Sequence, residues 1–423
     1  MDKLSFPQQG ISNQEAYQQI MDTIAKDAKP NKNLAIFATD EMDEYATKLI
    51  NNSLAINFPN VTQYPNLAKI NLEAALMLAD LWKINPTDTP WGTSTIGSSE
   101  AIFLATVAAK ARFNERIENK NKIPNIVFGA NAHTAWYKAA NYQGIELREV
   151  PVRRGEYSVN ALDMQPYIDG STILVVGVAG SHQTGYDDDL VSINSLLESL
   201  QQAHGWDIPL HIDAALSGFV YPFIRQDYAW DFRLSKVASI NASGHKYGLV
   251  YTSVGWLVVR NKSYIPDSVI YKIKYLSGEF EQFSLSFSRD SSSMLAQYYN
   301  LLHLGYHGYQ QKSQSVTTKA KFLVHKLSLL DVFEFVYPAK FIPIVVLRIQ
   351  HNINLKLDDI AQFIQQDGWY TSVSQLSYQT TSSKIMKIVI RDSLSYQQLE
   401  ELVTCFKVAI DSLTQQQNSV SEY

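Results

Sequence analysis

Between residues 125 and 259 the chain carries six candidate strands, most of them short apolar runs with β-branched side chains, at 125–128, 146–150, 172–178, 209–212, 236–240 and 255–259. Most are continuously apolar rather than alternating, the pattern of strands buried on both faces of a sheet. Segments of helical length fall between several of them, at 132–142, 159–168 and 191–203. Strand and helix in alternation predict an α/β unit built on a large, mostly parallel sheet. In such sheets ligands collect at the carboxyl ends of the strands, so the residues that follow each run become the first candidates for a site.

With 423 residues the chain exceeds what one hydrophobic core usually organises. Residues 1–31 read as a helical arm, with a helix at 13–28 closed by Pro30, and residues 32–315 as the large unit, ending in helices at 293–304 and from 309. Strands at 342–349 and 385–391 with helices at 356–366 and 396–413 predict a small α+β unit over 316–413. Residues 414–423 read as a polar tail.

The strand expected at 236–240 runs into Asn241-Ala242-Ser243-Gly244-His245-Lys246-Tyr247-Gly248. Lys246 has no charged neighbour but His245 and is followed by another apolar run. A lysine in such surroundings is a candidate for a desolvated, nucleophilic amine. It is also what an exposed turn between two strands can carry. Gly92-Thr93-Ser94-Thr95-Ile96-Gly97-Ser98-Ser99-Glu100 opens into an alanine-rich helical run. Small hydroxyl residues and glycines before a helix suit a phosphate, because free N–H groups and the helix dipole converge there. They equally suit an ordinary cap by Ser98 or Ser99. His211-Ile212-Asp213-Ala214-Ala215 places a carboxylate at a strand end, and His133 opens a helix after the 125–128 run. A turn cap and a hydrogen-bonded helix-start histidine are the plain alternatives.

The mild net charge of −5 and the lack of a basic block give no footprint for nucleic acid or an anionic membrane. A single cysteine, Cys405, rules out an internal disulfide and any thiolate metal site, and fits a reducing compartment. No metal site is expected. The first ten residues lack the basic cluster and apolar core of a signal peptide, and no run reaches membrane-spanning length, so a cytoplasmic protein is expected.

Taken together, Gly97-Ser98-Ser99, His133, Asp213 and Ser243-Gly244-His245-Lys246, with Tyr275-Leu276 and Phe287-Ser288-Arg289 further on, resemble the group II decarboxylases that use pyridoxal 5′-phosphate. Within that group the pattern is similar to the glutamate decarboxylases. The resemblance implies fold type I, the aspartate aminotransferase-like architecture of a large mostly parallel sheet domain with a small α+β C-terminal domain. It implies Lys246 as the attachment point of the cofactor, Asp213 as partner of its pyridine nitrogen, and His133 and Ala215 on the two ring faces. Ser98, Ser99, Ser243 and His245 would hold its phosphate, with Ser288 arriving from the second subunit of a homodimer whose active sites are shared. Tyr275, in a stretch similar to the family's mobile loop, would deliver a proton. The implied reaction is α-decarboxylation of an acidic L-amino acid, glutamate to 4-aminobutyrate or aspartate to β-alanine.

The pattern departs from the family where substrate is chosen. Ile36 and Asn60 stand where the glutamate enzymes carry a threonine and an aspartate, while Phe37 and Asn57 are retained. Loss of one polar contact to a buried carboxylate costs about 1.5 to 3 kcal/mol. Lys387 replaces the arginine expected at the substrate α-carboxylate, keeping the charge without the bidentate fork. His182 replaces a small hydroxyl residue near the cofactor. These changes leave cysteine sulfinate, aromatic amino acids, or a lyase or aldehyde-forming reaction on the same cofactor as the competing expectations.

Overall fold

The computed structural model describes residues 5–59, 63–116, 122–152, 155, 157–275, 278–377 and 382–421. Seven strands form the main sheet: β1 (Trp91–Thr95), β2 (Asn125–Gly129), β3 (Glu146–Val150), β4 (Thr172–Val178), β5 (Leu210–Asp213), β6 (Val237–Ala242) and β7 (Gly255–Val259). Their order is β1-β7-β6-β5-β4-β2-β3, with β6, β5, β4, β2 and β3 parallel, β7 antiparallel to both its neighbours, and β1 at the edge running in the same direction as the parallel five. The six expected runs all become strands. β2, β4, β5, β6 and β7 are buried along their whole length, as continuously apolar sequences require. β3 lies at the edge, where charged Glu146, Arg148 and Glu149 face solvent.

β1 is a strand that the sequence did not announce, because its Gly-Thr-Ser-Thr composition reads as a loop. Gly92 explains its fit: a Cβ there would lie 2.6 Å from the Leu257 carbonyl oxygen and 2.9 Å from the Ala75 Cβ. The strand is thereby pressed between β7 and the helix Pro65–Leu81. Only after β1 does the chain enter the helix Ser98–Asn114. A hairpin of β8 (Tyr271–Tyr275) and β9 (Gly278–Gln282) follows the sheet.

A second, antiparallel sheet, β10-β11-β13-β12, comprises β10 (Phe333–Pro338), β11 (Ile344–Ile349), β12 (Ser372–Ser377) and β13 (Ser382–Val389). One face of it joins the core of the main sheet through Val336, Ile342, Ile344 and Val346. The other closes a core of its own with Val345, Leu347, Met386 and Ile388.

Three boundaries differ from expectation. Leu34 belongs to the second sheet's core rather than to the large unit: its N–H donates to Tyr370 and its carbonyl accepts from Val389. The helix Ser292–Ser328 runs through the expected boundary at 315/316, interrupted at Gly305 (φ 54°), with Tyr309 and Val316 in the first core and Ala320, Leu323 and Leu327 in the second. The expected tail is helical as well. Tyr396–Ser421 is one helix, extended through a run of glutamines with good helix propensity. The N-terminal helix, Asn13–Ile24, starts at a Ser12–Glu15 capping box and buries no residue. Among the described residues no helix is long and apolar enough to cross a membrane.

Candidate active site

Asp213 ends β5, and its carboxylate accepts three hydrogen bonds at the carboxyl edge of the sheet. The Trp136 indole N–H donates to one oxygen at 2.9 Å, and the Asn241 amide (3.1 Å) and Ala215 N–H (3.2 Å) donate to the other. Burial alone would raise its pKa. The indole, the His211 ring, Lys246 and Asn241 outweigh that and hold it below the usual carboxylate range. Behind it, buried His211 bridges Ser239 Oγ and Asn241 Oδ1, both at 2.7 Å, and packs on the Trp136 ring. Because Oδ1 only accepts, Nε2 carries the proton; burial pushes the ring down to about 4 and keeps it neutral.

Trp136, His211 and Asn241 were absent from the candidates read from sequence. A signal existed for two of them. In the parallel pair β5 and β6, His211 faces Ser239 and Asp213 faces Asn241, so polar residues at alternate positions of two buried strands must meet.

At the neighbouring strand end, Ser243 Oγ lies 2.8 Å from Ser98 Oγ. That contact separates the two readings of the stretch before the helix. Ser98 is inside the helix, the N-cap is Gly97, and no side chain caps the amino terminus. The Ser98 hydroxyl is engaged across the sheet instead. Gly255 makes room: a Cβ there would lie 2.7 Å from the Ser98 nitrogen. His245 follows, its Nδ1 2.9 Å from the Val254 carbonyl.

These groups line a cavity of about 740 Å³ together with Ser99, His133, His182, Ala215 and Lys246. Lys246 is half-buried as a residue, with its amine at the enclosed end. Burial pushes that amine down to about 8, against the pull of Asp213. His133 Nδ1 accepts the Ala135 N–H at 3.1 Å, and burial, opposed by Asp213, lowers its pKa. Its ring meets His182 edge-on, centroids 4.8 Å apart, and His182 is pushed down to about 3 by burial and then by His133, Lys387 and Lys246. Both rings are therefore uncharged at neutral pH.

Lys387 reaches this region from β13. Its Nζ donates to the His182 carbonyl at 3.2 Å and stands 4.9 Å from the centre of the Phe37 ring, while Lys246 Nζ stands 5.2 Å from the same ring. Burial and the neighbouring Lys246 push Lys387 down to about 8. The remaining candidates are not assembled within the single chain. Ile36 is 46 % exposed, Ser288 is exposed, and Asn57 is engaged with the Arg289 N–H. Asn60 and the Tyr275 side chain lie outside the described residues.

A lysine amine and a carboxylate lining one cavity and attracting each other, beside a helix terminus that no side chain caps, are a donor set for a phosphorylated aldehyde cofactor with a basic ring nitrogen. The profile of the pyridoxal-dependent decarboxylase conserved domain matches residues 6–350. The chain belongs to the pyridoxal-dependent decarboxylase family. Its cofactor is pyridoxal 5′-phosphate and its chemistry is that of an amino acid decarboxylase. Glutamate decarboxylase of Solanum lycopersicum is 33% identical over 98% of this chain and 84% of its own length. Glutamate decarboxylase beta of Listeria monocytogenes is 34% identical over 94% of this chain and 87% of its own. In three dimensions, glutamate decarboxylase of Lactobacillus brevis superposes with a TM-score of 0.93 at 31% identity, covering 98% of this chain and 95% of its own. An Oryza sativa protein solved with PLP and tryptamine shares the fold alone, at 16% identity and TM-score 0.81. This decarboxylase is therefore of fold type I, as its sequence pattern implied.

Proposed function

We propose that this decarboxylase removes the α-carboxylate of an acidic L-amino acid, with glutamate as first candidate and aspartate as second. The observation that carries the reading is that Lys246 and Asp213 line one cavity, in a chain similar over nearly its whole length to glutamate decarboxylases. Pyridoxal phosphate, when bound, supplies the electron sink for the pair of electrons left at Cα as carbon dioxide departs.

The chain's own groups do the rest. Lys246 presents an amine that loses its proton near pH 8 and is then a nucleophile toward an aldehyde. Asp213, held anionic, would accept a hydrogen bond from the protonated ring nitrogen. Ser98, Ser99, Ser243, His245 and the amino terminus of the helix Ser98–Asn114 would hold the phosphate. Neutral His133 offers a flat ring for one face of the cofactor and Ala215 a small side chain for the other. Lys387 holds a substrate carboxylate as a point charge, beside Phe37 and His182. Tyr275 is assigned the return of the proton to Cα, and Asn57 and Asn60 the recognition of the distal group of the substrate.

The same reading makes the protein a cytoplasmic homodimer, with Ser288 completing the partner's phosphate site. Two observations support the dimer. Ser288 is exposed in the single chain, and the helix Asn13–Ile24 leaves Tyr17, Ile20, Met21 and Ile24 on one uncovered stripe. The division into arm, large unit, small unit and tail is proposed with its limits moved as the cores indicate. Aspartate stays in view because apolar Ile36 offers no hydrogen bond to a distal carboxylate, which a shorter substrate would hold elsewhere. Carbon dioxide release measured over a panel of L-amino acids tests the proposal: turnover of glutamate or aspartate is expected, and turnover of neither contradicts it.

A further inference from the structure

Lys246 sits on a turn whose internal bonds are long. Its N–H reaches the Ser243 carbonyl at 3.3 Å, and its carbonyl receives the Leu249 N–H at 3.2 Å. The shorter bonds come from far away in sequence. The Thr39 N–H donates to the His245 carbonyl at 2.9 Å, and the Thr39 hydroxyl lies 3.0 Å from the Lys246 carbonyl and 3.2 Å from that of His245. One threonine thus grips two consecutive carbonyls at the attachment point. Two residues earlier, the Phe37 ring stands against the other end of the same lysine, shared with Lys387.

The segment is itself fixed from the second sheet. Arg391, just beyond β13, pairs with Asp40 at 3.4 Å and reaches the Ala38 carbonyl at 3.4 Å, and the Ser393 hydroxyl donates to Asp40 at 2.7 Å. The side chains of Arg391 and Asp40 are only 5 % and 7 % exposed. The pairing is costly, since Arg391 Nε and Nη2 have no hydrogen-bond partner among the described residues.

We propose that Thr39 is a positioning residue for Lys246, and that residues 37–40 form a brace through which the C-terminal sheet sets where that amine stands in the cavity. Fixing two carbonyls fixes the backbone from which the side chain starts. The aromatic ring and Lys387 then bound its far end. The brace rests on Lys246 being the cofactor's attachment point.

The test is Thr39→Val, which keeps the shape and removes the hydroxyl donor, beside Thr39→Ser, which keeps the donor. Both are studied as cofactor-loaded, full-length protein, by the pH titration of the visible absorption of bound cofactor and by kcat and KM. The charged or titratable groups facing Lys246 are Asp213, His133, His182, His245 and Lys387 on one side and Asp40, Glu41, Asp43, His303, Lys312, Arg391 and Asp392 around the cavity on the other, and neither Thr39 variant alters any of them. Thr39→Val is expected to shift the titration and to lower kcat on the order of tenfold to a hundredfold, as displacement of a reacting group does. KM should stay within about threefold. Thr39→Ser should restore both. An unshifted titration with native kcat in Thr39→Val, or equal impairment in Thr39→Ser, would overturn the brace. If Thr39→Val does not fold, Asp40→Asn is read in its place: a smaller shift in the same direction supports the brace, and none overturns it. Wild-type protein with no cofactor absorption would instead sink the reading on which the brace rests.

Discussion

The two sides of the Lys246 amine are built differently. On the Asp213 side the polar contacts come from the main sheet, the turn that follows β5 and a helix packed on the sheet, and Trp136, Asp213, Asn241 and His211 form a continuous chain of hydrogen bonds that ends on Ser239. On the Phe37 side two amines share one ring, Lys387 makes one bond to a carbonyl, and the groups arrive from the N-terminal segment and the second sheet. The first side is preorganised for one cofactor. The second presents a ring and a single amine–carbonyl bond, on segments from the N-terminal region and the second sheet that can vary independently of the main sheet, which suits the substrate-choosing role proposed for it.

Removing groups from each side should separate the two. The largest effect is expected for Lys246→Ala, in which decarboxylation falls by about a thousandfold or more, read as carbon dioxide release, while the protein stays folded. Asp213→Asn keeps the shape and removes the charge that holds the ring nitrogen protonated. Its kcat should fall on the order of a hundredfold, with weaker cofactor binding by fluorescence titration. On the other side, Lys387→Ala should raise KM for the preferred substrate by about tenfold, the scale of one lost charged hydrogen bond, with cofactor absorption intact. Were the cofactor to be lost as well, the division between the two sides would not hold. The smallest effect is expected for Ile36→Thr, which should favour glutamate over aspartate by several-fold, up to about tenfold in kcat/KM.

pH sharpens the same contrast. Lys246 titrates near 8 rather than in the usual lysine range because its protonated form is desolvated. The rate of cofactor attachment to apoprotein should therefore rise with pH between about 7 and 8 and level off above about 9, following the neutral amine. A rate still climbing toward pH 10 would mean an ordinary, solvated lysine.

How much was legible in the sequence follows the same division. Five of the six expected strands were readable because burial on both faces favours unbroken apolar runs, and Lys246, Asp213 and Ser243 drew notice because they stand at or just past the ends of those runs. β1 was not, since its fit depends on a glycine meeting Leu257 and Ala75 across space. Trp136 was hidden on a helix, where an indole looks like core until its N–H is seen on Asp213. Thr39 and Arg391 were hidden for a stronger reason. They act through carbonyls and charges more than 200 positions away, which no local pattern encodes. The glutamine run after Leu413 misled in the opposite direction, because polarity was read as a tail beyond the last helix where helix propensity carried that helix on to Ser421.

The most direct test is to reduce the cofactor-loaded protein with borohydride, digest it, and locate the cofactor-derived mass by peptide sequencing. The account predicts bleaching of the visible absorption and a single labelled peptide, carrying the group on Lys246. A label on Lys387 or another lysine, or no label at all, would contradict it.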